Sequence, residues 1–244
     1  MSRSCSLHSA EAVPCPGRDG AIRQALNWLF PTRPSFVVTG TGRCGTAYAA
    51  ARLTRLGLAC THEAYFTPRG PRLRSTTRPR SALGDSSWLA APYLDDSGSR
   101  VVQLVRRPLD VILSLYNIGF FDPALRPIHA PFIAFAERYF DPGPDPLDAC
   151  IRWYLDWNRM CERTAGLRIR IEDFEAELPR LLGFLGQDGI DPARARPLPA
   201  AVNRRPAAIA EPLSRDALRQ RLGDHPRRTE LAEMGQAYGY GAEL

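Results

Sequence analysis

The sequence predicts an α/β protein of three layers, in which a central parallel sheet carries helices on both faces. Two observations predict this fold class: an apolar strand-like run is followed by a basic turn and a helix at Ser35–Gly57, and again at Arg100–Gly119. Strands that alternate with helices form parallel sheets, because the crossover helices cover the faces of the sheet. A length of 244 residues suits one such domain.

Composition places the chain among ordinary globular proteins. The formal net charge is +6, and all 32 basic residues are Arg. No apolar run approaches the roughly 18 residues of a membrane-crossing helix, and the N-terminus lacks the apolar segment of a secretory signal. We expect a cytoplasmic protein without a transmembrane segment, with residues 1–17 as a disordered tail and residues 18–244 as a single domain. A net positive charge suits an anionic ligand, but it does not tell whether that ligand is a nucleotide or a nucleic acid.

The cysteines predict neither a metal site nor a thiol nucleophile. The six of them include no CxxC pair, and no His stands at zinc-finger spacing, so we expect reduced thiols. Cys44 stands before a predicted helix, where its pKa can be lowered. It lacks the spacing to an Arg that a cysteine phosphatase requires.

The first strand–turn–helix unit predicts an anion site. Phe36–Val38 has the aromatic and β-branched residues of a buried strand. The turn contains Gly40, Gly42 and Gly45, and Thr46–Leu56 has high helix propensity, with a glycine as its stop. Such a turn aims backbone N–H groups and the positive end of a helix at an anion, typically a phosphate. The alternative is a purely structural corner.

This turn is not a Walker A motif, which requires Lys and then Ser or Thr after the last glycine. Here Thr46 follows Gly45 directly, and the cation, Arg43, stands ahead of that glycine. No apolar strand elsewhere ends in a convincing Mg²⁺-binding aspartate. The pattern predicts a phosphate-binding loop that lacks the Lys and the Mg²⁺-binding aspartate with which a metal–nucleotide complex is usually bound.

The other elements are predicted from the periodicity of apolar residues and from the positions of Gly and Pro. In chain order we predict a helix at Asp19–Phe30, a strand at Leu58–Thr61 followed by His62 and Glu63, a polar loop at 67–80, a short helix at Ser86–Leu94, a strand at Arg100–Val105, helices at Ala130–Phe140 and Leu147–Cys161, a strand at Leu167–Ile171, and helices at Glu175–Leu185 and Arg228–Tyr238. The arginines of the 67–80 loop fit a solvated surface or a contact to an anionic acceptor. Residues 191–228 are poorly periodic.

The second unit supplies a basic turn with a defined spacing. Arg106 follows the strand, Pro108 suits the first turn of a helix, and Ser114 stands eight positions after Arg106. Arg106 leaves the carboxyl end of a strand, where open α/β sheets bind ligands. Helical spacing places Ser114 on the face of Arg107 and Asp110.

Together the two turns resemble the sulfotransferase family that uses 3′-phosphoadenosine-5′-phosphosulfate (PAPS). The family's loop has Lys or Arg, Ser, Gly, Thr, Thr, and here Cys44 replaces the Ser and Ala47 the second Thr. The resemblance covers about residues 35–185 and implies a P-loop-like fold. It implies that Arg106 and Ser114 hold the 3′-phosphate, and that the loop binds the rest of the phosphosulfate through Thr41, Gly42, Arg43, Cys44, Gly45 and Thr46.

Further segments are similar to the family, with departures. Ile171 stands where the family has Tyr, which leaves aromatic contact with adenine in doubt at that position. A further basic loop of the family corresponds to Asn203–Arg205.

The resemblance implies transfer of a sulfuryl group from PAPS to the hydroxyl or amine of a small-molecule or glycan acceptor, with PAP as product and no metal. Arg43 would neutralise charge on the departing 5′-phosphate. Alternation along an extended chain points His62 and Glu63 to opposite sides, so we expect only one of them to face the site. Glu63 is the preferred general base, because the sequence Ala64-Tyr65-Phe66 follows it as in the members of the family that use a carboxylate, and His62 is the second choice. Two other classes stay open: a nucleotide kinase with a degenerate loop, and an Arg-rich nucleic-acid-binding protein. We expect no nucleic-acid partner, and the oligomeric state does not follow from the sequence.

Overall fold

The computed structural model describes residues 33–72, 84–95, 98–196, 198 and 206–241, all within the second of the two units into which the chain divides, Arg33–Leu244. The expected tail 1–17, the helix expected at Asp19–Phe30 and the basic segment Asn203–Arg205 lie outside the described residues. So does most of the arginine-rich loop at 67–80, beyond Arg72.

The described part of the chain contains both strands and helices. The strands are β1 Phe36–Gly40, β2 Cys60–His62, β3 Phe66–Thr67, β4 Gly70–Pro71, β5 Gly84–Ser86, β6 Arg100–Val105 and β7 Leu167–Arg170. The α-helices are α1 Thr46–Arg55, α2 Pro108–Asn117, α3 Arg126–Ala136, α4 Pro146–Glu162, α5 Leu178–Phe184, α6 Arg215–Gly223 and α7 Arg228–Ala237. Short 3₁₀ helices lie at Trp88–Tyr93, Ile171–Asp173 and Pro192–Arg194.

Five strands form one sheet in the order β2-β5-β1-β6-β7, and every neighbouring pair is parallel. β1 is central, and its register with β6 runs from Phe36 opposite Arg100 to Gly40 opposite Leu104. β3 and β4 form a separate antiparallel pair. The predicted parallel sheet is therefore confirmed.

Side chains alternate between two hydrophobic cores, one on each face of the sheet. Phe36 and Val38 of β1 pack with α1 and α5, whereas Val37 packs with α2, α4, α6 and α7. Strands that are apolar on both faces are expected when both faces are covered by helices. The three-layer α/β class predicted from the sequence is confirmed.

The chain leaves β1 and β6 toward opposite faces of the sheet. β1 and β6 are adjacent, yet α1 packs on one face of the sheet and α2 on the other. A crevice opens at the carboxyl ends of two such strands, because the turns diverge there. This topology brings the turn after β1 and the turn after β6 to a common crevice.

β5 and α6 were not expected from the sequence, because their local signals are weak, and α3 is shifted along the chain. β5 has only three residues, of types that strands disfavour, and it exists through parallel pairing with β1 and β2. α6 lies inside a segment that is poorly periodic in sequence, and Ser214 caps it by accepting a hydrogen bond from the N–H of Ala217. α3 begins four residues earlier than expected, with Pro127 in its first turn.

None of the helices in the described part of the chain has the length and apolar character that crossing a membrane requires. Four cysteines fall in the described ranges, and all of them are free and buried: Cys44, Cys60, Cys150 and Cys161.

Candidate functional site

A cavity of about 1080 Å³ opens at the carboxyl edge of the sheet, over the turns that follow β1 and β6. Its two ends differ in chemistry. One, the loop end, is formed by Gly42, Arg43, Gly45, Thr46, Arg106 and Ser114. The other, the aromatic arm, is formed by Trp88, Ile118, Phe120, His129, Phe132 and Trp153.

The loop after β1 has a backbone shape that few residues adopt. Gly45 has φ of 109°, and a Cβ built there would stand 2.6 Å from Cδ1 of Ile171. α1 begins directly after Gly45, without a side-chain cap and without an acidic residue in its first turn. The first N–H groups of a helix have no acceptor within it, so this end of α1 keeps both its donors and its positive dipole.

The two predicted turns are joined by hydrogen bonds. Nε of Arg43 donates to Oγ of Ser114 over 2.9 Å, between residues 71 apart in sequence. A guanidinium nitrogen of Arg106 donates to the backbone carbonyl of Arg43 over 3.1 Å. Tyr154 on α4 donates its hydroxyl to the carbonyl of Arg106 over 3.0 Å, which fixes the end of β6. Two arginines and a hydroxyl are thus gathered at the loop end.

Two of the residues predicted from the loop lie beneath it. The side chains of Thr41 and Cys44 are buried, and the N–H of Cys44 donates to the carbonyl of Thr41. Burial raises the pKa of the Cys44 thiol to about 12, against the opposing effect of Arg106. The expectation of a lowered thiol pKa is therefore wrong, because the side chain points into the core and not along the helix axis.

His62 and Glu63 both line the cavity, so the expectation that they point to opposite sides is also wrong. Glu63 has φ of 53°, which ends the extended alternation of β2 and turns its side chain toward His62. Nε2 of His62 and Oε1 of Glu63 are 3.6 Å apart. Nε2 also lies 3.3 Å from the hydroxyl of Thr46, the first residue of α1.

The imidazole of His62 is held neutral by its surroundings. Burial lowers the pKa of His62 below its usual value of 6.5. At neutral pH the 3.6 Å contact between His62 and Glu63 is therefore not a pair of full charges. A neutral imidazole can accept a proton, and the side chain of Glu63 lies beside it at this edge of the cavity.

Asp85 of β5 supports the turn that carries Glu63. Its buried carboxylate accepts hydrogen bonds from the hydroxyl of Thr61 over 2.6 Å and from the N–H groups of Ala64 and Phe66 over 3.2 and 3.3 Å. Desolvation raises the pKa of Asp85, while these hydrogen bonds oppose the rise. The carboxylate thus binds residues before and after Glu63, and this stabilises the left-handed backbone conformation of Glu63.

Two of the three candidate catalytic residues have positive φ. In the described ranges Arg43 and Glu63 are the only residues other than glycine with positive φ, at 74° and 53°. Such backbone is unfavourable by about 1–3 kcal/mol and persists where surrounding contacts impose it, which happens often at functional sites. Both residues line the same cavity.

Sequence reasoning missed the aromatic lining of the cavity. Beside the loop, Tyr48 lies edge-on to Phe174, with ring centroids 5.7 Å apart, and its hydroxyl donates to Glu175. Burial and that hydrogen bond raise the pKa of Tyr48 to about 12. Tyr48 follows Thr46 by two positions, so the signal was present in the first turn of α1. Phe174 had no local signal.

The aromatic arm is assembled from four separate segments of the chain. Trp88 contacts Phe120, Phe132 and Trp153, with ring centroids 6.3, 6.1 and 5.1 Å apart. Nε2 of His129 donates to the carbonyl of Ile118 over 3.2 Å and fixes the orientation of that ring. Contacts over such sequence distances leave no pattern in any one segment.

Within the described ranges no group of three or more His, Cys, Asp and Glu side chains could hold a metal ion.

Comparisons with known proteins give one similar fold. No protein-family model and no curated protein sequence matches the chain. Among solved structures the chain is similar to a sulfotransferase from Alicyclobacillus acidocaldarius, with 16% identity, a TM-score of 0.45 and coverage of 85% of this chain and 96% of that one. This similarity concerns the course of the chain alone.

Proposed function

We propose that this protein transfers a sulfuryl group from PAPS to an acceptor hydroxyl or amine. The observation that carries the proposal is the hydrogen bond between Arg43 and Ser114, together with that between Arg106 and the Arg43 carbonyl. These contacts join two anion-binding turns at one end of one cavity. A nucleotide with phosphate groups at two separate positions of its ribose fits such a pair better than a linear triphosphate.

In this proposal the turn after β1 and the turn after β6 bind different phosphate groups of the nucleotide. Arg43 and the open N–H groups of α1 bind the 5′-phosphosulfate, because a capless helix start next to an arginine favours an anion. Arg106 and Ser114 bind the 3′-phosphate. Arg106 offers a planar fork of donors, which suits two phosphate oxygens at once.

The base of the nucleotide packs against the aromatic rings beside the loop. Tyr48 and Phe174 line the cavity on the side of Ile171 and supply the aromatic surface that Ile171 lacks. In this proposal the aromatic contact to adenine comes from Phe174, three positions after Ile171, and from Tyr48 on α1. Glu175 is occupied there, since it pairs with Arg52 at 3.0 Å and accepts from Tyr48.

The chemical step is an in-line displacement at sulfur. The acceptor oxygen or nitrogen forms a bond to sulfur, and the bond between sulfur and the bridging oxygen of the 5′-phosphate breaks. The proton of the acceptor passes to Glu63 or His62, and PAP departs with the added negative charge. Arg43 and the N–H groups of the loop stabilise that charge as it develops.

Binding of PAP tests the proposal against its alternatives. PAP at 100 times its dissociation constant should stabilise the protein by about 2.7 kcal/mol in thermal unfolding. AMP is the matched control ligand, because it lacks only the 3′-phosphate, and it should bind much more weakly. Equal affinity for PAP and AMP would contradict the proposal. Stabilisation by ATP with Mg²⁺ alone would select the kinase, and steeply salt-dependent oligonucleotide binding would select the nucleic-acid-binding protein.

A further inference from the structure

We propose that Trp153 binds the sulfuryl group: its indole N–H donates a hydrogen bond to a non-bridging sulfuryl oxygen of PAPS, in the gap between the indole and Gly42. This inference rests on the proposed function, and it assigns a sulfuryl-binding residue on α4, outside both strand–turn–helix units. The indole keeps its proton throughout the reaction and acts only by holding the group that is transferred.

The indole nitrogen of Trp153 is a buried donor without an acceptor. Trp153 is 1% exposed, and its Nε1 has no hydrogen-bond partner within the described residues. Buried polar groups in folded proteins nearly always have a partner, because an unpaired one lowers stability. Trp153 also lines the cavity. An acceptor that arrives with a ligand therefore completes this donor.

The neighbouring Trp157 is a contrasting case on the same helix. Its ring stacks on that of Trp153, with centroids 4.0 Å apart and an interplanar angle of 22°, and it is equally buried. Nε1 of Trp157, however, donates to the backbone carbonyl of Trp88 over 2.9 Å. The two indoles share burial and stacking, and they differ in whether the folded chain supplies an acceptor. Packing alone therefore does not account for the indole nitrogen of Trp153.

A gap separates Trp153 from the loop after β1. Among described atoms outside the adjoining residues, a Cβ built on Gly42 would meet only Nε1 and Cζ2 of Trp153 within 4 Å, at 3.9 and 4.0 Å. The space beside Gly42 is therefore not filled by the described part of the chain. An oxygen that enters it from the cavity can come within hydrogen-bond distance of Nε1.

The position of this gap fits the sulfuryl group better than the phosphates. Trp153 belongs to the aromatic arm and faces Gly42 of the loop end, so it lies where the two ends of the cavity meet. In-line displacement requires the sulfuryl group to lie between the departing 5′-phosphate and the acceptor. A donor on a helix at this junction holds the sulfuryl group in a fixed orientation while Arg43 binds the phosphate side.

Paired calorimetry with PAPS and PAP tests the contact, because PAP lacks only the sulfuryl group. Trp153→Phe should weaken PAPS binding about tenfold, as expected for the loss of one hydrogen bond to a charged group, and change PAP binding less than about twofold. Trp157→Phe is the matched control and should leave the ratio of the two affinities unchanged. Gly42→Ala is the second test variant. Its new Cβ meets nothing nearer than 3.9 Å, so the fold should keep its stability, but the methyl group occupies the gap and should also weaken PAPS binding about tenfold.

Nuclear magnetic resonance of the indole N–H groups gives a readout in the wild-type protein. Saturation with PAPS should move the Trp153 Nε1–H resonance downfield, saturation with PAP should not, and the Trp157 resonance should stay in place with both. An unmoved Trp153 resonance in the PAPS complex would overturn the inference and leave the proposed function intact. Equal losses of PAPS and PAP affinity in Trp153→Phe, or an equal loss of selectivity in Trp157→Phe, would do the same. A wild-type protein that binds neither nucleotide would overturn the proposed function, and this inference with it.

Discussion

The two strand–turn–helix units that meet at the cavity have the same layout but present different groups to it. In the unit formed by β1 and α1, the helix start has no cap and no acidic residue, and its turn contains two residues with positive φ. In the unit formed by β6 and α2, Pro108 occupies the first turn, and Asp110 lies at the positive end of the helix and pairs with Arg215. The first unit therefore presents backbone N–H groups together with Arg43, whereas the second presents side chains, those of Arg106 and Ser114.

This difference suggests a division of labour at the site. Backbone N–H groups approach an anion most closely where glycine removes the side chain, and they stay fixed during a reaction. Side chains such as Arg106 and Ser114 contribute their own donors, and a single substitution removes each of them. The first unit suits the phosphate whose charge changes during transfer, and the second suits the phosphate that only anchors the nucleotide.

The largest expected effect lies outside both units, at Glu63. If the units only bind the nucleotide, Glu63→Gln should lower turnover by about 10²–10⁴ and leave PAP affinity unchanged, because the amide keeps the shape but cannot accept the proton. Steady-state rates and calorimetry measure the two quantities. Glu177→Gln is the matched control, because Glu177 does not line the cavity and pairs with Arg180. An active Glu63→Gln protein together with an inactive His62→Gln protein that still binds PAP would assign the base to His62.

Next in size is the contrast between the two arginines. Arg43→Ala and Arg106→Ala should each weaken PAP binding by about 1.5–3 kcal/mol, as expected for the loss of a hydrogen bond to a charged group. With AMP, the Arg43→Ala loss should persist, whereas the Arg106→Ala loss should disappear along with the 3′-phosphate. Arg100→Ala, at the opposite end of β6, controls for the loss of a charge. Equal losses of AMP affinity in both variants would place both arginines on one phosphate.

The close backbone approach of the first unit predicts an effect on stability. A Cβ on Gly40 would stand 2.2 Å from the carbonyl oxygen of Leu104 and 2.6 Å from Sγ of Cys44. Gly40→Ala should therefore lower the free energy of unfolding by about 1–3 kcal/mol, measured by urea denaturation. Gly189→Ala, where a Cβ meets nothing within 4 Å, should be nearly neutral. A Gly40→Ala protein of unchanged stability would show that β1 and β6 can separate at their carboxyl ends.

The sequence predicted those parts of the molecule that have strong local signals. β1, α1, β6 and α2 each combine an apolar run, a turn residue and a helical period, and all four are present. The pair His62 and Glu63 was predicted as a strand end, but local alternation gave the wrong orientation. The turn is supported by the carboxylate of Asp85, which belongs to another strand and accepts hydrogen bonds from the N–H groups of Ala64 and Phe66. The aromatic arm had no signal at all, because its residues come together only in the folded chain.

The smallest effect, that of Ser114→Ala, separates two roles that the geometry allows. Oγ of Ser114 accepts from Nε of Arg43 over 2.9 Å, so the hydroxyl either binds the 3′-phosphate itself or only orients Arg43 toward the 5′-phosphate. The division of labour between the units favours the first role. We expect Ser114→Ala to weaken PAP binding by about 0.5–1.5 kcal/mol, as is usual for one hydrogen bond, and to leave AMP binding unchanged. If AMP binding weakens equally, and if the loss vanishes when Arg43 is already Ala, then Ser114 acts through Arg43 and the second unit serves the first.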